Sequence, residues 1–543
     1  MDLKGKPFYL SHQQEEWVVN TLSSMTEEDK LHQMFCILGD ASTPEQLDEL
    51  VKQGIGGVLF RPVRTTEEIT AHFAHLDALA KYPLLHAANL EEGGAGATSN
   101  GTYFANQLQV AASPDTEDVM HFAKVCAAEG QCATINWTFS PVADIDMNFR
   151  NPITNCRTYG SEANRVEQLA TTYVETLQAS GMAACAKHFP GDGVDYRDQH
   201  LHPTYNSLSA EEWRASYGRI YSAMIGKGLL SVMVGHICQP AMEAEHTPGL
   251  RQEDALPASL SRGLLTGVLR EELGFHGLIT TDATIMGGYT MAMERSKAIP
   301  TSFAAGCDMI VFSTDIDEDI GYLRDGLHSG LVTQERIDEA VTRILALKAK
   351  VCVPVQVAPV PAGQWKKECA CHAVTLVKDK AELLPISQKR FPKVRLALVG
   401  SDACWDGSIR AMFAAELEKR GFAVEQYDPF QDDLHGTSNL PADRLTLTVL
   451  HYPHASNQTT VRVNWCPKHA LEIPRFVHEE HTAVVSLANP YHLQDVPRAR
   501  TFVNAYTATK ATIEAVVERL CGEAPFQGQN PVDPFCGLFD ARL

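Results

Sequence analysis

Long hydrophobic runs are missing from this 543-residue chain: its apolar stretches, such as LLSVMVG (229–235), fall far short of the roughly 20 residues that span a bilayer. The opening MDLKGKPFYLSHQQEEW has no apolar core of a secretory signal, so the expected location is the cytoplasm. Positive charge is scarce as well, with 46 Lys plus Arg against 67 Asp plus Glu and a formal net charge of -21. An excess of that sign repels phosphate backbones and anionic lipid, which excludes nucleic acid and membrane surfaces as expected partners. The 14 cysteines are dispersed, and several, such as Cys185 and Cys238, sit in apolar strand-like runs where a thiol behaves as a small hydrophobe. Reduced thiols, and no disulfide framework, are expected. The one cluster, Cys369-Ala-Cys371-His372, lacks a second ligand pair at zinc-site spacing.

What the chain has is length and a recurring rhythm. A single core rarely grows beyond about 250–300 residues, so at least two domains are implied. Eight short apolar runs punctuate the first two thirds: 33–38, 56–60, 83–89, 137–144, 182–188, 230–236, 277–282 and 309–313. Continuous rather than alternating apolar residues mark strands buried on both faces, and helix-length stretches such as SRGLLTGVLREEL (261–273) supply the crossovers of a parallel sheet. The pattern predicts an α/β protein with an N-terminal (β/α)8 TIM-like barrel over 1–351; an open doubly wound sheet is the alternative. The uncharged, proline-rich 352–364 reads as a linker, and 365–543 as a second, open α/β sandwich domain with strand candidates at 395–402, 444–451, 482–489 and 500–507. That domain has neither a dinucleotide-binding glycine fingerprint nor a Walker A sequence, and no cofactor is expected. Internal repeats are absent.

Polar residues close five of the apolar runs at their C-terminal ends: Asn89, Asp144, Lys187 with His188, His236, and Asp282. This is the end where barrel enzymes place their chemistry, and the recurrence points to one shared pocket. The densest stretch is KHFPGDGVDYRDQH (187–200). There Asp198 and His200, two residues apart on an irregular backbone, can hydrogen-bond, and a carboxylate so placed orients the ring and stabilises its cation. Such a histidine suits general acid and base work near neutral pH.

KHFPGDGVDYRDQH closely resembles the Lys-His-Phe-Pro-Gly-His-Gly…Asp-Ser-His signature of the β-N-acetylglucosaminidase branch of glycoside hydrolase family 3. The resemblance extends to EEGG (91–94), FSPVADIDMNFRNPITNCRTYG (139–160), PASLSRGLLTGVLREELGFHGLITTDATIMGG (257–288), NPYHLQDVP (489–497) and the closing VDPFCG, nearly the whole chain of the two-domain form. It implies a retaining exo-acting glycosidase that releases terminal β-linked N-acetylglucosamine from a small glycan by double displacement. By motif position Asp282 would be the nucleophile that forms a glycosyl-enzyme, His200 the acid/base and Asp198 its partner, in place of a second carboxylate. Arg157, Lys187, His188 and Glu92 would hold the sugar. The role implied is turnover of N-acetylglucosamine-containing glycans such as cell-wall fragments, and the loop carrying the dyad is expected to move and close over substrate.

Three positions depart from the family pattern. Asp192 stands where the family usually has His, Gln199 replaces the Ser of Asp-Ser-His, and AANLEEGG offers Asn89, Glu91 and Glu92 in shifted register where the family has a substrate-holding aspartate. Other readings of the same residues are a phosphorylase of the same family, a metal-dependent barrel hydrolase using His200-Leu-His202 with His188, Asp195 and Asp198, and a non-catalytic sugar-binding protein. The intact Asp198, His200 and Asp282 argue against the last, and the metal reading leaves Asp282 and Arg157 unexplained.

Overall fold

The computed structural model describes residues 1–427, 442–466 and 481–543. Two compact units are present, one of residues 1–104, 120–154 and 163–360, the other of 105–119, 155–162 and 361–543. Where the sequence predicts contiguous domains, two segments of the N-terminal half thus cluster with the C-terminal unit.

Among the described residues of the first unit, eight strands form one sheet: β1 (Phe35–Leu38), β2 (Gly57–Leu59), β3 (Leu85–Ala88), β4 (Trp137–Thr138), β5 (Ala183–Phe189), β6 (Ser231–Val234), β7 (Leu278–Thr281) and β8 (Ile310–Val311). Neighbours in sequence are neighbours in space and all pair in parallel. β8 returns to β1 with Phe35 opposite Ile310, and a parallel bridge from Thr280 to Met309 joins β7 to β8. The sheet is therefore a nearly closed barrel rather than an open sheet. Each strand coincides with one of the eight apolar runs, β5 passing its run by one residue at Phe189, and is almost wholly buried, because helices cover one face and barrel side chains the other. Helix Gln334–Val351 shows how local signals set these crossovers: the Thr333 hydroxyl caps it by accepting from the Arg336 amide at 3.2 Å, and Ile337, Val341, Ile344 and Leu345 are all buried. The predicted helix at 261–273 is present at Gly263–Glu272 but wound with wider π turns. Gly263 and Gly267 there lie so close to Thr247 and His246 that a Cβ would come within 2.5 and 2.8 Å of them.

The second unit is built on a six-stranded sheet among the described residues: β9 (Thr375–Asp379), β10 (Lys393–Gly400), β11 (Ala423–Tyr427), β12 (Arg444–His451), β13 (His481–Leu487) and β14 (Thr501–Asn504), in the order β9-β14-β13-β12-β10-β11. β9 runs antiparallel at one edge and the remaining pairs are parallel. The four predicted strands are its centre. The two edges, TLVKD and AVEQY, escape sequence reading because an edge strand is half-exposed and needs no continuous apolar run. Cys369 is buried on helix Ala362–Ala373, while the neighbouring His372 pairs with Asp118 at 2.9 Å; the 14 cysteines are all free. Among the described residues no helix is long and apolar enough to cross a membrane.

Candidate active site

The carboxyl ends of β3, β4, β5 and β7 bring the polar residues of the first unit together. After β3, Asn89 Oδ1 accepts a hydrogen bond from Lys187 Nζ at 3.2 Å, and Glu91 Oε1 lies 2.5 Å from the same ammonium. Lys187 is 4% exposed at its side chain, so this pairing is what permits a cation at the end of a buried strand. Glu92 turns elsewhere: its carboxylate accepts from the Tyr103 hydroxyl at 2.9 Å.

Asp144 organises the next layer. Its Oδ1 accepts from the backbone amides of His188 (3.1 Å) and Asp192 (2.8 Å), and its Oδ2 takes the His188 Nδ1 proton at 2.7 Å. That bond fixes the tautomer and aims His188 Nε2 at Asp282, whose Oδ2 is 3.8 Å away. Asp282 is itself seated by its amide, which donates to Val234 O at 2.8 Å, and by its Oδ1, which accepts from the Ala283 amide at 2.7 Å. Burial alone would raise its carboxyl; the charges of His188, His236 and His200, with the Ala283 N–H, outweigh it and hold Asp282 below the usual carboxylate range. The result is an ionised carboxylate in a shielded pocket, still 15% exposed at its side chain, which is the state a nucleophile needs.

On the loop after β5 the predicted pair is formed. Asp198, fully buried, accepts from the His200 amide at 2.9 Å and from His200 Nδ1 at 2.6 Å, while the imidazole itself is 24% exposed. The loop expected to be mobile carries several anchors: Gly287 N donates to His200 O at 2.8 Å and Gly288 N to Gln199 O at 3.1 Å. The two unusual residues of the signature meet here. Gln199 Nε2 donates to Asp192 Oδ2 at 3.2 Å, and Asp192 Oδ1 also accepts from Asn151 Nδ2 (2.9 Å) and the Gly193 amide (2.7 Å). Burial and the nearby Asp144 push the Asp192 carboxyl well above the ordinary range.

Other strand-end residues serve differently. His236, fully buried, does not face open space: its Nε2 donates to Ala283 O at 3.0 Å, its Nδ1 accepts from Ser259 Oγ at 2.9 Å, and its ring rests on Tyr289. Burial lowers its pKa from the ordinary histidine range, against the opposing pull of Asp282. His202 Nδ1 turns to Pro203 O at 3.3 Å, and Asp195 is taken up by Arg197 and the Tyr205 amide. Among the described residues no group of three or more His, Cys, Asp or Glu is arranged to hold a metal ion. Arg157 lies on the turn Asn155–Arg157, in the second unit. The expected site residues Lys187, His188, Asp198, His200 and Asp282 lie at these strand ends and on the loop after β5; the sequence offers Glu91 only as one of three stand-ins for the substrate-holding aspartate, and Asp144 only as a strand-end residue. Asp144 did carry a signal, since it closes the fourth apolar run.

Residues 26–347 match the glycosyl hydrolase family 3 N-terminal domain. The chain belongs to that family. A β-N-acetylglucosaminidase/β-glucosidase of Cellulomonas fimi is 40% identical over 566 aligned residues, with 100% of both chains covered. Among solved structures, the β-glucoside phosphorylase BglX superposes with a TM-score of 0.92 at 40% identity, covering 99% of each chain, and a further structure of it is bound to 2FGlc. A family 3 β-N-acetylglucosaminidase from Paenibacillus sp. str. FPU-7, at 23% identity and a TM-score of 0.79, shares the fold over 95% of this chain.

Proposed function

We propose that this family 3 enzyme is a retaining, exo-acting glycosidase of terminal β-linked sugars, with N-acetylglucosamine as the favoured unit. The observation that carries the reading is the pairing of two unlike groups: Asp282, held below the usual carboxylate range beside three histidines, and His200, whose Nδ1 lies 2.6 Å from the buried Asp198. Asp282 attacks the anomeric carbon as His200 protonates the departing oxygen, giving a glycosyl-aspartate. His200, now neutral, takes a proton from the acceptor that releases the sugar. Asp198 keeps the imidazole in the tautomer that presents Nε2 and stabilises its cation in the resting state. Lys187 and His188 hold sugar hydroxyls, with Asp144 and Glu91 orienting His188 and Lys187, while the sugar-binding roles of Arg157 and Glu92 rest on the family resemblance alone. Trapping with an activated 2-fluoro glycoside followed by peptide mass spectrometry tests the assignment: a label on any residue but Asp282 would overturn it.

A second reading concerns the acceptor. An acid/base that is neutral at the second step, rather than a carboxylate, does not repel an incoming phosphate anion, so phosphorolysis competes with hydrolysis. The similarity to a β-glucoside phosphorylase supports it. Turnover that rises with inorganic phosphate and yields sugar 1-phosphate decides for this reading; turnover indifferent to phosphate decides for water. The C. fimi relative's two named activities make β-glucosides the competing substrates for a panel of aryl glycosides. Fourteen free thiols support a reducing compartment, the cytoplasm, where glycan fragments would be degraded.

A further inference from the structure

A run of hydrogen bonds passes around the pocket, and a 3.8 Å contact between His188 Nε2 and Asp282 Oδ2 completes the circuit. From Asp282 the path runs through the next residue's carbonyl, Ala283 O, to His236 Nε2; from the His236 amide to Gln199 Oε1 at 2.8 Å; from Gln199 Nε2 to Asp192 Oδ2; from the Asp192 amide to Asp144 Oδ1; and from Asp144 Oδ2 through His188 back to Asp282. The amide orientation of Gln199 is settled by chemistry: the His236 N–H must meet an oxygen, which turns the Gln199 NH2 onto Asp192 Oδ2. Gln199 is 1% exposed and sits between the two dyad members, so whatever fixes its side chain fixes the backbone that carries Asp198 and His200. The fit is tight. A Cβ on Gly235 would lie 2.9 Å from Gln199 Oε1, and one on Gly288 would lie 2.5 Å from Gln199 O. The barrel ends are thus shaped by glycine to receive this residue.

We propose that Gln199 and Asp192 are positioning residues, a matched pair that locks the Asp198–His200 dyad in register with Asp282. The inference rests on the acid/base reading of His200. The arrangement also links two of the three departures from the family pattern, since residues 192 and 199 are hydrogen-bonded to each other.

The test uses the full-length enzyme and two aryl glycosides of one sugar, one with a poor leaving group and one activated. Gln199→Glu keeps the volume and the bond from the His236 amide but replaces the NH2 that donates to Asp192 Oδ2 with a second carboxyl oxygen. Loss of about 30-fold in kcat is expected on the poor leaving group, less than about threefold on the activated one, and a KM within about twofold, because only protonation suffers. Adding Asp192→Asn restores the match, with the introduced side-chain amide donating to the introduced carboxylate, and should return kcat to within about fivefold of the parent. Equal losses on both substrates, or a double variant no better than Gln199→Glu, would overturn the pairing. Trapping of Asp282 by an activated 2-fluoro glycoside must persist in each variant; its loss means that Gln199 holds the whole pocket rather than the dyad, which also overturns the proposal. His200→Ala separates the two readings: if it shows no leaving-group dependence, the dyad itself is refuted, whereas dependence there without any in Gln199→Glu refutes only the positioning role.

Discussion

Two buried aspartates, at opposite ends of the same barrel, are held below the ordinary carboxylate range by different means. Asp282 closes β7 at the catalytic end and is surrounded by His188, His236 and His200. Asp308 precedes β8 at the other end, where burial would raise it but Arg343, Arg270 and Arg336 outweigh that cost. Arg270 Nη2 is 2.6 Å from its Oδ2 and Arg343 Nη1 3.0 Å from its Oδ1, with Arg336 on the same oxygen, while the Ile279 amide donates to Oδ2 at 2.9 Å. Even Arg270, which burial lowers to about 9, stays charged at neutral pH, so the neutralisation holds there and ties β7, β8 and two helices together. Imidazoles can give up a proton and leave one edge free. The same depressed carboxyl is thus closed off where its partners are guanidinium groups, and where they are imidazoles it keeps one side open, as the proposed nucleophile requires.

The contrast can be broken from either end. Asp282→Ala should abolish release of an aryl β-glycoside leaving group, with kcat down by about 10⁴-fold or more and the melting temperature little changed. Unimpaired turnover in that variant would refute the nucleophile assignment. Asp308→Asn should do the converse: three buried guanidinium groups lose their counter-ion, which costs about 3–5 kcal/mol of stability, while kcat below the melting transition stays near the parent's. Its pH dependence follows from the sign of the shift. A carboxyl depressed in the folded state contributes stability above its unfolded value of about 3.9, and that contribution is lost as pH falls through the folded value. The gap in melting temperature between parent and Asp308→Asn should therefore be steady above about pH 5 and narrow below about pH 4; a gap that widens in acid would contradict the ion-pair account. Next in size is Asp144→Ala, which frees His188 and should lower kcat/KM about 10²-fold through misplacement alone. The smallest effect belongs to Glu91→Gln, which leaves Lys187 with Asn89 and should raise KM by about tenfold with kcat nearly unchanged, read from saturation curves on one aryl glycoside.

The barrel was legible because burial on both faces writes itself into a strand as an uninterrupted apolar run, and each of the eight runs did become a strand. β9 and β11 were not legible, since a sheet edge imposes no such pattern. In the site, Asp198 and His200 could be paired from spacing alone because two residues of irregular chain suffice to bring them together. Asp144 and His188 are 44 residues apart, and only the parallel placement of β4 beside β5 makes them partners.

By itself, the sequence determined the α/β class, the alternation that closes a barrel, the family, and the gathering of carboxylates and histidines on strand ends and their loops. The tertiary structure alone decided which neighbours each of them has. It gave His188 its tautomer through Asp144, turned His236 away to carry a backbone carbonyl, and set Asp192 against Gln199. The reason is physical: periodicity and spacing encode which face of an element is buried, but hydrogen bonds across strands depend on register, and register is fixed only when the sheet closes.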